Sequence, residues 1–132
     1  MRYLLFCLLL TLPSSGQSIE RLEDAMTDYL GATYVAGRLD AGAERVWVQR
    51  DSLDCVTFVE NVLARAFAQD TTEVQSYLRA LRYRDDDDVR YGNRLHYFSD
   101  WMVQNTSEGY LQSTHPAAPF MTDRAQHYSF MS

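Results

Sequence analysis

The chain reads as a single α+β domain, mostly helical with only the fringe of a sheet, and three observations predict it. Apolar residues recur at helical spacing in three separate stretches, around 19–30, 55–67 and 74–81. Short β-tolerant segments bounded by glycines and turn residues lie between them, at 32–39 and 44–50. The 132 residues, 46% hydrophobic and 23% charged, suffice for one modest core, exclude whole-chain disorder and leave no room for two domains.

The chain opens with the pattern of an export signal. Met1-Arg2 is a short basic start, Leu4 to Leu12 an apolar run, and Pro13-Ser14-Ser15-Gly16 supplies small residues for a peptidase, with cleavage expected near Gly16-Gln17. The division predicted is thus a signal peptide over 1–16 and one domain over 17–132. The apolar run is too short for a permanent membrane anchor. Ser18 can cap a first helix whose face is Ile19, Leu22, Ala25, Met26, Tyr29 and Leu30, ended by Gly31. Residues 32–39 read as a loop or brief extended segment carrying Tyr34, and Asp40 to Glu44 as a turn. The partial alternation of Glu44-Arg45-Val46-Trp47-Val48-Gln49-Arg50 predicts a half-buried strand.

Ser52 or Asp54 then caps a second helix with Val59, Val62, Leu63, Ala66 and Phe67 on its apolar face, which puts Cys55 in the first turn. Thr72 with Gln75 predicts a capping box for a third helix bearing Val74, Tyr77, Leu78 and Leu81. The acidic run Asp85 to Asp88 lacks the alternation and glycine of a calcium loop and reads as a solvated turn. Arg90 to Asn93 reads as a turn between short strands, and Ser99 as the cap of a short helix through Val103. Asn105-Thr106-Ser107 matches a glycosylation sequon, which is set aside as chance. From Glu108 the text is loop-rich, with Pro116 and Pro119, and 128–132 reads as a strand cut short.

The net charge of −6, with all basic residues arginine and scattered among acids, argues against nucleic acid. The 9 tyrosines suit clefts that hold sugars or peptides, although most serve as core. With Cys7 in the leader, Cys55 is the one cysteine left in an exported chain, without a disulfide partner, and that places a functional role ahead of simple packing. At a helix start, unsatisfied amides and the positive end of the helix dipole stabilise a thiolate. A nucleophilic cysteine needs a base, for which His96, His115 and His127 are available, and oxyanion donors, for which the Cys55 amide and the Tyr34 hydroxyl are candidates. No His or Cys pair has zinc-ligand spacing, and no cofactor is expected.

Three motifs, Gly31-Ala32-Thr33-Tyr34-Val35-Ala36-Gly37-Arg38-Leu39, Leu53-Asp54-Cys55-Val56-Thr57-Phe58-Val59-Glu60-Asn61-Val62-Leu63-Ala64 and Arg94-Leu95-His96-Tyr97-Phe98-Ser99-Asp100-Trp101, together resemble the exported N-acetylmuramoyl-L-alanine amidase-like family. That family is a branch of the NlpC-type, papain-like cell-wall cysteine hydrolases. The resemblance implies a papain-like fold, Cys55 as the nucleophile attacking a peptidoglycan amide, Tyr34 as an oxyanion contact, Asp54 as the acid before the cysteine, and a pocket-lining or structural role for His96. It also implies that the base is a His on a sheet following the region where this sequence stops. None of His96, His115 or His127 lies in that motif. The chain thus resembles the N-terminal portion of such an enzyme, and the expectation is that a full-length relative hydrolyses muropeptides while these 132 residues are inactive or severely impaired. Two alternatives stay open: a non-catalytic periplasmic domain that binds glycan or peptide, and a redox-sensing thiol, the latter weakened by the lack of a resolving cysteine.

Overall fold

A computed structural model describes residues 15–40, 42–85 and 87–112 of the chain, with the side chains of 15–17 excepted. The residues before Ser15, where most of the export signal is expected, and His115, His127, Pro116, Pro119 and the terminal strand expected over 128–132 lie outside the described residues. The architecture is mixed but dominated by helix: α1 (Ser15–Thr27), β1 (Thr33–Tyr34), β2 (Ser52–Leu53), α2 (Cys55–Phe67), α3 (Thr71–Arg82) and α4 (Phe98–Ser107), with 3-10 turns at Arg38–Asp40 and Tyr91–Asn93. β1 and β2 form a two-stranded parallel sheet in which Tyr34 is the partner of Leu53. No helix among the described residues is long and apolar enough to cross a membrane.

The second helix is the post against which the others pack. On one side Val62 and Ala66 meet Ala25 of the first helix and Tyr29 of the turn after it, with Leu53 in the same cluster. On the other, Ala64 and Ala68 meet Val74, Leu78 and Leu81 of the third, joined by Val46 and Tyr83. Leu78 and Leu81 are fully buried, each contributing about 1.5–3 kcal/mol of apolar transfer. The first helix starts at Ser15 and not at Ser18, and it presents a narrower face than expected. Ala25 and Tyr29 are buried and Leu22 half-buried, whereas Ile19, Met26 and Leu30 are exposed. Gly31 adopts φ +87°, a left-handed turn that a glycine takes without penalty.

Residues 44–50 do not form the predicted strand. Their backbone is satisfied by side chains of neighbouring helices: Gln75 Nε2 donates to the Val46 carbonyl at 2.9 Å, and the Gln49 amide donates to Asn61 Oδ1 at 3.3 Å. The third helix is capped by Asp70 and not by Thr72, because the Asp70 carboxylate accepts from the amides of Thr72 and Glu73 as well as from the Thr72 hydroxyl. Gln75, the expected box partner, is spent on Val46. The fourth helix begins at Phe98 behind Tyr97, without a side-chain cap, and runs past Val103 to Ser107. That places the sequon residue Asn105 inside a helix, fully buried, donating to the carbonyls of Leu81 and Trp101.

Candidate functional site

Cys55 is the first residue of α2, a free and exposed thiol. Its placement follows from the residue before it. Asp54 adopts extended backbone and caps the helix: its carboxylate accepts from the Thr57 amide and from the Thr57 hydroxyl, both at 2.8 Å, while the Asp54 amide donates to Thr57 Oγ1 at 2.8 Å. This is a reciprocal capping box with Thr57 in the place usually held by Glu or Gln. The leading amides of the helix, including that of Cys55, have no intrahelical acceptor and point out at the helix start. Asp54 therefore acts here as the clamp that orients the first turn.

Tyr34 reaches the same end of the helix by strand pairing. The Val35 amide donates to the Leu53 carbonyl at 3.0 Å and the Thr33 amide to the Asp51 carbonyl at 2.9 Å, which sets Tyr34 beside Leu53, two residues before Cys55. Its side chain is 69% exposed, so it borders the site as a free rim and not as packing against the helix. His96 is exposed as well, with Nε2 against the Tyr91 carbonyl at 2.7 Å and its ring 4.2 Å from the Tyr91 ring. The structure thus brings Tyr34, Asp54 and Cys55 together and engages His96 with Tyr91. Among the described residues none forms a hydrogen bond with the Cys55 thiol.

Five residues beyond Cys55, Glu60 is buried in an ion pair with Arg82, 2.8 Å apart. Burial raises the Glu60 carboxyl above the ordinary range, and Arg82 opposes this by charge and by its hydrogen bond. The Trp101 indole lies near enough to favour the charged carboxylate, though short of full hydrogen-bond geometry. Asn61, also buried, donates to the Thr57 carbonyl at 2.7 Å while its oxygen holds Gln49. These residues were missed in the sequence because the helical pattern was read from apolar positions alone. Glu60 and Asn61 occur in a stretch otherwise lined by Val, Leu and Ala, and that was the available signal.

A second polar network ties the turn after β1 to the segment before α4. Arg94, 4% exposed, pairs with Asp40 Oδ1 and reaches Glu44 Oε2 at 3.8 Å, and it lies over the Tyr91 ring at 4.9 Å. The Tyr83 hydroxyl donates to Glu44 Oε1 at 2.6 Å, and burial, followed by that carboxylate, pushes the Tyr83 phenol up. A cleft of about 830 Å³ lined by Leu22, Ala66, Phe67, Tyr77 and Tyr110 lies at the far end of the Cys55 helix, about 18 Å along it, and is separate from this site. Among the described residues no three His, Cys, Asp or Glu side chains are grouped as a metal site.

Comparison with known proteins fits this arrangement. The family model AmiA-like, N-acetylmuramoyl-L-alanine amidase-like, matches residues 24–131. An N-acetylmuramoyl-L-alanine amidase from Bacteroides uniformis has a similar crystal structure at 34% identity and a TM-score of 0.69, over 79% of this chain and 46% of that one. Protein LPG0564 from Legionella pneumophila is 30% identical with a TM-score of 0.61, over 70% of this chain and 32% of that one. A Bacteroides fragilis protein with a provisional xylanase name is 30% identical with a TM-score of 0.62, over 67% of this chain and 41% of that one. The chain thus spans less than half the length of each of these structures. No curated protein matches it. The family match alone runs over most of the sequence and includes Tyr34, Asp54, Cys55 and His96, and on that ground the chain belongs to the N-acetylmuramoyl-L-alanine amidase-like family.

Proposed function

We propose that this chain carries the nucleophile end of an exported, papain-like amide hydrolase of the NlpC type, acting on peptidoglycan fragments. The observation that carries the reading is the exposed, unbridged Cys55 thiol at the first residue of α2, with the Tyr34 strand alongside. In this reading the Cys55 thiolate attacks an amide carbonyl, forming a tetrahedral adduct. Its oxyanion is met by the Cys55 amide and the Tyr34 hydroxyl, and collapse releases the amine and leaves a thioester for water to cleave. A general base must take the thiol proton and return it to the leaving amine. His96 is engaged with Tyr91 and is assigned to the pocket wall.

The test is covalent capture. A chloroacetamide carried on a muropeptide stem should alkylate Cys55, with loss of chloride, much faster than free chloroacetamide does, read by intact mass, and Cys55→Ala should take up neither. Equal rates for the two reagents would remove the hydrolase reading. The exposed aromatics Tyr34, Tyr91 and Phe98 favour a second reading, a binding domain without chemistry. That reading predicts muropeptide binding with no preferential capture. A glycosidase, as the xylanase name of the Bacteroides fragilis relative would have it, predicts xylan cleavage that survives Cys55→Ala.

A further inference from the structure

We infer that Arg38 and Arg45, stacked on the indole of Trp47, form a recognition site for the carboxylate of an acidic peptide. The Arg38 guanidinium lies 5.1 Å and that of Arg45 4.7 Å from the Trp47 ring centroid. Stacking engages the face of a guanidinium and leaves its N–H edge free, and that edge matches a carboxylate in two parallel hydrogen bonds. Two cations on one ring repel each other, and an anion bound to either relieves the repulsion.

What makes the pair a site is the fate of the acids beside it. Asp40, in the same 3-10 turn as Arg38, and Glu44, the neighbour of Arg45, are the nearest carboxylates in sequence. Both are drawn away by the buried Arg94, and Glu44 is held further by the Tyr83 hydroxyl. Among the described residues neither Arg38 nor Arg45 has a carboxylate partner, and Arg38 Nε is buried without an acceptor. This holds in a chain with 18 acidic residues against 12 basic ones, in which Arg65, Arg82, Arg84, Arg90 and Arg94 each have an acid. Arg38 lies four residues beyond Tyr34 in the chain, in the 3-10 turn that follows the Tyr34 strand. The naming of a peptide as the ligand rests on the proposed peptidoglycan reading, whereas the preference for a carboxylate does not.

The experiment uses Trp47 as reporter. The full chain is titrated by tryptophan fluorescence with an N-acetylated alanyl-glutamate dipeptide and with its diamide. The acid is expected to bind about tenfold more tightly than the diamide, with a preference that shrinks as salt rises. Arg38→Gln combined with Arg45→Gln should abolish the preference, and the corresponding Lys pair should retain part of it. Equal binding of acid and diamide by the unaltered chain, a salt-independent preference, or a preference that survives the double Gln change overturns the site. The salt series needs no variant, so misfolding of a mutant cannot shelter the inference. Acid preference without selective capture at Cys55 upholds this site and removes the hydrolase reading; selective capture without acid preference does the reverse.

Discussion

The buried pair Glu60–Arg82 makes an asymmetric prediction. Both side chains are at most 2% exposed and their charged atoms are 2.8 Å apart, while Nη1 and Nη2 of Arg82 are buried without acceptors. Glu60→Met strands a guanidinium that cannot deprotonate, and removal of one partner from such a pair costs about 3–5 kcal/mol. For a domain of this size that lowers Tm on the order of 20 °C. Arg82→Met should cost less, because Glu60 is already displaced toward its neutral form by burial and can take up a proton. The double Met variant should lie within about 1 kcal/mol of the parent or above it. The pH dependence has a definite sign. A carboxyl raised in the folded state binds more protons there than in the unfolded chain. Its contribution is therefore greatest in acid and declines as pH rises from the unfolded to the folded value. In Arg82→Met that decline should extend to higher pH, since both opposing influences of Arg82 are gone. Urea unfolding of the four proteins across pH 4 to 8, values of roughly the relevant range, decides the matter. A double variant no more stable than Glu60→Met, or an Arg82→Met costlier than Glu60→Met, would refute the reasoning.

Other consequences are local. Asp54→Ala removes the cap, leaving the Thr57 amide without its acceptor while the Thr57 hydroxyl keeps its bonds to the backbone of residue 54, and should cost about 1–2 kcal/mol, with faster amide exchange confined to the first turn of the Cys55 helix. Asp70 is held below the usual carboxylate range, first by the Thr72 hydroxyl and then by the Glu73 and Thr72 amides. Its stabilisation is present above the unfolded value and lost as pH falls through the folded one, so Asp70→Asn should flatten that acid limb in urea titrations. Gly31→Ala meets no atom within 4 Å, so only the φ of +87° opposes it. About 1 kcal/mol of destabilisation by thermal melting is expected, and a neutral result would show that the turn relaxes.

Local signals read well where one side chain or one period determined the outcome. Asp54 before an apolar stretch places the helix start within a residue, and the cysteine with it. Val74, Leu78 and Leu81 at helical spacing are buried as expected. The strand over 44–50 does not form because the alternation is only partial: Val46 and Gln49, three apart and on opposite parities, are both buried, in an irregular segment whose hydrogen bonds go to Asn61 and Gln75. The cap at Thr72 failed for a competitive reason: Asp70, a stronger acceptor two residues earlier, captured the Thr72 hydroxyl itself. Tyr34 could be named from the residues only as one candidate partner of Cys55, and the resemblance to a family strengthens it, since the parallel pairing of 33–34 with 52–53 is a long-range contact between two-residue strands with no periodic signature.

What fixes the orientation of the helix that begins at Cys55 is its polar side. At about 100° per residue, Val59, Val62 and Ala66 share the face of Cys55, and because Val62 and Ala66 are buried there, the thiol is exposed by its place at the end of the helix; Thr57, Glu60, Asn61 and Ala64 lie about 120–180° away on the opposite face. That opposite face is buried, and three of these four residues are polar: Thr57 is locked to Asp54, Glu60 to Arg82, and Asn61 to Gln49 and to the Thr57 carbonyl. Apolar packing alone would tolerate rotation of the helix by a fraction of a turn, because Val, Leu and Ala exchange places at modest cost. Directional bonds from a buried amide do not, since each broken one leaves a desolvated group unpaired. The azimuth of the helix, and so the direction in which its first turn presents the thiol, is set by Asn61 and Thr57 more than by the leucines. Asn61→Leu should therefore preserve helix content while changing the accessibility of Cys55 to a small thiol reagent, and a labelling rate equal to that of the parent would show that the apolar contacts suffice.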